Sequence, residues 1–345
     1  MPRARRVTYK ILYDGKEVGL SSRCESISYT DNDSAQADEI TISLIDKNMG
    51  WAMNGFIPEK EHDLDVTLYF NDWIPGSGAI QEYHCGNFTI DDITYSGGSG
   101  GHKCEIKGIS LPVSESFKTG KVSKVWEKVT VKQIAEEIKG KYGMSTLYYW
   151  AEEPIIEKID QEEKSDSEFL SELCKQQGLC IKIYKKGLVI FDKKQYEARG
   201  TTATFSKESD LEEWTWNSTL VGTYTGAKIS YTQIDKKEKD KNKKTQVISI
   251  TVGEEQRLLI LNEKAESKEE AERIAKAKVN EENEKAVTLE FTALGNANIV
   301  ASCNIELKNM GRLDGKYYVE KVSHELSGSS GHKMSVSAHK IFTRL

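Results

Sequence analysis

The feature that most constrains this chain is a strict alternation of apolar and polar residues in short runs, repeated along its first third. In the run EITISLID (39–46), Ile40, Ile42 and Leu44 fall on one face, and Thr41, Ser43 and Ile45 on the other. That period of two belongs to a strand with one face on a core. Comparable runs recur from Thr8 to about Ser110: VTYKILYDG, CESISYT, LDVTLYF, YHCGNFTIDDITYS and HKCEIKGIS, broken by Gly, Asp and Asn. Six strands without a helical period predict a barrel or sandwich. GGSGG (97–101) sits between two of these runs and lacks the Gly-Lys-Ser/Thr and the helix of a phosphate loop, so it reads as a hairpin tip.

The period then changes. In VTVKQIAEEIKGKYGM, Val131, Ile134, Ala135, Ile138 and Tyr142 share one side of an amphipathic helix, with Gly143 placed to end it. In SDSEFLSELCKQQG, Ser165 and Glu168 have capping-box spacing, Phe169, Leu170, Leu173 and Cys174 form the apolar stripe, and Gly178 stops the helix. CIKIY and GLVIFD follow as strands around a turn at Lys185-Lys186-Gly187. Residues 125–195 therefore read as a small α/β unit.

Strands return in TATFS, LEEWTWNSTL, YTGAKISYTQI and TQVISITVG. One helix starts at Ser267, with Glu270 three positions on and Ala271, Ile274, Ala275 and Lys278 along one side. VTLEFTAL, IVASCNIEL, KYYVEKVSHEL and HKMSVSAHK close the chain. Between two strands, Asp235 is followed by six lysines and two acids up to Lys244. Such a block reads as a mobile, solvated hairpin tip; a nucleic-acid arm would interleave aromatics and arginines. The expected organisation is mainly β: two similar β-barrel domains, 1–118 and 199–345 (the latter with one helix), flanking a small α/β domain at 119–198.

Composition excludes several classes. A chain of 345 residues has room for about two or three domains without disulfide or metal staples. With 30% charged and 38% apolar residues it lies in the ordinary folded range. A net charge of −6 opposes binding nucleic acid over the whole surface. The basic start MPRARR is followed by no apolar leader run, and no stretch reaches the ~18 apolar residues of a membrane span, so assembly in the cytoplasm is expected. Six cysteines (24, 85, 104, 174, 180 and 303) are scattered as in a reduced protein. Cys174 and Cys180, five residues apart, do not match zinc-ligand spacing, nor do His324, His332 and His339. These read as buried thiols and surface histidines. The carboxylate pairs Asp91-Asp92, Glu152-Glu153 and Glu162-Glu163 are sequence neighbours that point apart on an extended chain. No catalytic, cofactor-binding or metal site is expected, and no cofactor.

An ordered set of motifs resembles the phage late control D family of tail hub proteins. It comprises Trp126 with Val129-Thr130-Val131-Lys132-Gln133-Ile134-Ala135, Ser165-Asp166 with Phe169-Leu170, Gly178, and Gly187-Leu188-Val189-Ile190. Ala271, Ala275 and Ala277, Leu294-Gly295-Asn296, Gly315-Lys316-Tyr317-Tyr318-Val319, Ser323-His324 with Leu326, and Gly331 continue it. Two positions depart: Ala297 stands where the family often has proline, and Ser302-Cys303 replaces an expected glycine turn. The resemblance implies a structural hub of a contractile particle, phage or phage-tail-like bacteriocin, similar to the hub half of type VI secretion spikes. It implies a homotrimer joining a sixfold tail tube to a threefold central spike, with baseplate wedge and tape measure proteins as further partners, and no sequence-specific nucleic acid or membrane anchor. A cell-wall (peptidoglycan) module is the alternative reading. A type VI spike would add a β-helical needle, and the sequence ends at Leu345.

Overall fold

The computed structural model describes residues 5–34, 36–54, 58–73, 78–98, 101–111, 115–207, 210–234, 245–265, 267–328 and 331–345. The first region comprises β1 (Arg6–Tyr13), α1 (Leu20–Arg23), β2 (Cys24–Asn32), β3 (Glu39–Ile45), α2 (Gly50–Asn54), β4 (Asp63–Asn71), β5 (Ile80–Gly98) and β6 (Gly101–Ile109). The middle region comprises α3 (Glu115–Thr119), β7 (Val122–Val129), α4 (Val131–Lys141), β8 (Leu147–Trp150), β9 (Ile156–Lys164), α5 (Asp166–Gln176), β10 (Leu179–Tyr184), β11 (Gly187–Asp192) and α6 (Lys193–Glu197). Then come β12 (Ala203–Phe205), β13 (Glu213–Ser218), β14 (Gly226–Ile234), β15 (Thr245–Gly253), β16 (Leu258–Ala265) and α7 (Lys268–Glu284). β17 (Val287–Ala293), β18 (Asn304–Leu307), β19 (Gly315–Ser327) and β20 (Gly331–Lys340) complete the chain, which is mainly β. Among the described residues no helix is long and apolar enough to cross a membrane.

All six predicted strands of the first region form, and the alternation in β3 does what its period requires: Ile40, Ile42 and Leu44 are each fully buried. Each such side chain contributes on the order of 1.5–3 kcal/mol relative to exposure. The short helices α1 and α2 join them. β5 and β6 pair as far as Gly98 with Gly101, while the tip of GGSGG lies outside the described residues, as does the lysine-rich stretch beyond Ile234.

The two β regions share one connectivity. In the first, pairing runs β2–β3–β6–β5–β4; in the last, β13–β17–β20–β19–β18, each in the same chain order and antiparallel throughout. Each long strand has a register break at the same place, between Ile90 and Asp92 in one hairpin and between Val319 and Lys321 in the other. Before its break β19 pairs with β18, and after it with β2. The sheet therefore does not stop between the two regions but runs through both. β14, β15 and β16 lie outside it, as a separate three-stranded sheet with α7 against it, inserted between β13 and β17.

The middle region has its own core, in which α4 and α5 pack with β10 and β11 through Ile134, Ile138, Phe169, Leu170, Leu173 and Ile190. Thr130 and Gln133 make a reciprocal capping box on α4, and Ser165 Oγ accepts from the Glu168 N–H on α5. Gly143 and Gly178 take φ of +62° and +71° at the two helix ends. β7, β8, β9 and β16 were not predicted. β9 (IEKIDQEEK) buries only Ile156 and Gln161, so its charged face masks the period. In α7 the stripe is Ala271, Ile274, Ala275 and Val279. Lys278, predicted on that side, lies off it and reaches Glu263 at 3.4 Å. The run IVASCNIEL is strand only from Asn304, because Ser302 adopts φ +70°, the left-handed turn for which glycine was expected.

Candidate functional site

No sequence motif marked the most developed polar structure, a buried ionic junction where the three regions meet. Lys182, on β10, points out of the middle region onto the end of β2. Its Nζ contacts Asp31, lies 3.0 Å from Asp38 Oδ1 and donates to the Asn32 carbonyl at 2.7 Å. Asp31 turns its other oxygen to the Ala301 N–H at 2.8 Å, so one carboxylate bonds to both other regions. Burial pushes Asp38 up to about 7, against the pull of Lys182 and with the push of Asp31.

A second cluster lies beside α6. Lys193 Nζ lies 3.2 Å from Asp33 and 2.9 Å from Glu284 of α7. Arg344 holds Glu197 through two bonds of 2.6 Å, and Nη2 also reaches Glu284 at 2.7 Å. Both ring nitrogens of His339 meet carboxylates, Nε2 with Glu197 at 3.0 Å and Nδ1 with Glu320 at 2.8 Å. Burial raises the cost of Glu197's charge, yet Arg344 and His339 outweigh it and hold the carboxyl down at about 2. For His339 too, burial opposes the charge, and Glu197 and Glu320 overcome it, raising the pKa. The ligand atoms of Glu284, Glu320 and His339 lie within 4.8 Å of one another, the spacing of a metal site. Lys193 and Arg344 already supply cations there, so the set acts as an ionic clamp.

Of the other two histidines expected at the surface, His324 is buried and His332 half-buried. His324 is fully buried, and its Nδ1 shares a proton with His332 Nε2 across 3.0 Å. Tyr29, Tyr83 and Phe70 from the first region enclose the His324 ring at centroid distances of 6.2, 4.7 and 6.2 Å. Burial takes His324 down to about 3, with His332 adding to it, and burial takes His332 down to about 4. The pair is neutral and belongs to the seam between the two β regions. Sequence could not reveal this, because the enclosing rings come from strands some 240–300 positions away.

Cys174 packs in the core of the middle region, and Cys180 packs with Phe191, Tyr196 and Tyr318. Burial pushes the Cys180 thiol up to about 12 and Cys174 higher still, which suppresses the reactive thiolate. A cleft of about 590 Å³ between the middle region and α7 is lined by Cys180, Lys175, Arg273, Lys276 and Glu281. Its lining carries charges of both signs. Asp91 falls at the register break of β5, which leaves both it and Asp92 exposed.

The observation that decides identity is a family match over residues 117–330, to the phage tail baseplate hub (GPD) family. The chain belongs to that family. Solved structures agree on the fold of this tail hub protein. A 43 kDa tail protein of prophage MuSo2 from Shewanella oneidensis superposes with TM-score 0.68 at 15% identity, covering 98% of each chain. A tail protein from Neisseria meningitidis MC58 gives 0.69 at 12% identity over 97% of this chain and 96% of that one. An E. coli component of the type VI secretion system gives 0.62 at 11% identity, over 97% and 79%. No curated protein matches by sequence. The family is one of structural phage tail hubs, and the ionic junction is read as architecture.

Proposed function

We propose that this hub protein is a homotrimeric symmetry adapter, joining the sixfold tail tube of a contractile particle to its threefold central spike. The observation that carries the reading is the repeated connectivity of the two β regions. Three copies of a chain with two equivalent β units present six such units around a threefold axis, matching a sixfold ring on one side and a trimer on the other. The two units are proposed to close as β-barrel domains, 1–118 and 199–345, with 119–198 as a small α/β domain beside them. Tube, spike, baseplate wedge and tape measure proteins are the proposed partners, met during assembly in the bacterial cytoplasm. The chain works by holding shape, without catalysis or cofactor. The E. coli structure's description as similar to T4 phage tail proteins supports this placement.

Cryo-electron microscopy of particles purified from cells carrying a tagged chain tests it. Density for the tag at the junction of tube and spike, in three copies, is expected. Particles that assemble without the chain, or purified chain that binds or lyses peptidoglycan, would contradict it.

A further inference from the structure

The long strands β5 and β19 are equivalent, but only one of them has a full set of neighbours. Past its register break, β19 pairs with β20 on one side and β2 on the other. Past its own break, Asp91–Gly98 pairs, among the described residues, with β6 alone. β13 is the equivalent of β2, and among the described residues it pairs with β17 alone. The chain thus contains one completed junction, β2 with β19, and the two separated halves of another.

We infer that β13 of one copy pairs antiparallel with Asp91–Gly98 of a second copy, reproducing between chains the junction that β2 and β19 make within one. This rests on the trimeric reading and names the surface that would build it.

The register can be carried across. Aligning the hairpins on their breaks and following the paired residues sets Ser96 equivalent to Glu325, and Thr215 equivalent to Ser28. Glu325 is the partner of Ser28, so Ser96 should oppose Thr215. By the same rule Tyr95 opposes Trp216, and Gly97 opposes Trp214. The backbone is poised for this. Thr219 N–H donates to the Ala286 carbonyl, and bonded positions alternate along an antiparallel pair, so the N–H groups of Trp214 and Trp216 face away from β17. In β2, where Asp33 N–H donates to Glu320, the outward positions are Ile27 and Tyr29, the equivalents of those tryptophans. Burial gives an independent sign. Ile27 is 1% exposed beneath its in-chain partner, whereas Trp214 is 41% exposed. The His102 ring crosses over Gly97, where a Cβ would collide with its Cδ2, so the Trp214 indole would pack beside that ring. Continuity with the in-chain junction selects a second copy of this chain as the occupant.

Full-length chain carrying Ser96→Cys and Thr215→Cys, oxidised under mild conditions, tests the register. The pair is a non-hydrogen-bonded one, where Cβ atoms lie about 4.5–5.5 Å apart, within reach of a disulfide. Covalent trimers on a non-reducing gel are expected from the double variant and from neither single variant. Thr94→Cys with Asn217→Cys, two positions along, gives a second pair if the first misfolds. A non-covalent trimer that cross-links through neither pair would overturn this junction and leave the trimer standing. A folded chain that stays monomeric at all concentrations would overturn both.

Discussion

At the scale of single residues, the ionic junction behaves as structure, and its energetics follow from burial. Removing one member of a buried, hydrogen-bonded ion pair leaves the other charge uncompensated and costs about 3–5 kcal/mol. Arg344→Ala leaves Glu197 with His339 alone and Glu284 with Lys193 alone, so chemical denaturation is expected to show a loss toward the lower end of that range. Arg344→Lys, which keeps the charge but not the two-pronged bond, should recover only part of it. Two histidine settings give opposite pH signs. His339 is raised, so its contribution is full below the unfolded value of about 6.5 and is lost as pH rises through the folded pKa. His324 and His332 are lowered, so theirs is present above about 6.5 and is lost as pH falls toward 4 and 3. His332→Phe should therefore flatten the decline of stability between pH 6.5 and 4 by on the order of 2–3 kcal/mol, read by denaturant titration at each pH. A decline as steep as in the parent would show that His332 is not the buried neutral base described. None of this was legible in sequence. Lys182 alternates with apolar residues in CIKIY and looks like a solvated position, and its partners lie about 150 residues away.

At the scale of elements, legibility tracked how local the cause was. Caps, apolar stripes and two-residue alternation act within one turn or one strand, so α4, α5, α7 and the strands of the first region were visible. β9, with its one apolar stripe interrupted by charge, was not, and β18 was legible only as a longer run than the Ser302 turn allows. Gly178 shows what a local signal can hide. It reads as a helix stop, and its φ of +71° bears that out, but a Cβ there would also stand 3.2 Å from the Ala277 Cβ of α7. Gly178→Ala should cost more than the ~1 kcal/mol of the left-handed conformation, because α5 and α7 must also move apart. Gly143→Ala has open space around its Cβ and should show the conformational cost alone. Equal losses for the two variants, measured by denaturation, would remove the packing role. Cys174→Ala is expected to lower stability by the small amount of a lost sulfur contact, with no change in metal content by elemental analysis.

At the scale of the whole molecule, the likeness of the two ends was legible as a pattern of runs, but the continuous sheet was not. The pairing of β2 with β19 joins residues almost 300 positions apart, and no periodicity carries that information. The same pairing gives the molecule its logic: one junction closed within the chain, and the parts of an equivalent junction left at opposite edges of the sheet. Repeated units joined by one sheet and pinned by an inward ionic clamp suit a structural tail hub. The reading stands or falls on stoichiometry. Native mass spectrometry of the purified full-length chain, at neutral pH over a range of concentrations, measures it directly. The expected species has three times the 38.9 kDa mass of one chain. A single-chain mass at every concentration, from protein shown to be folded, would contradict it.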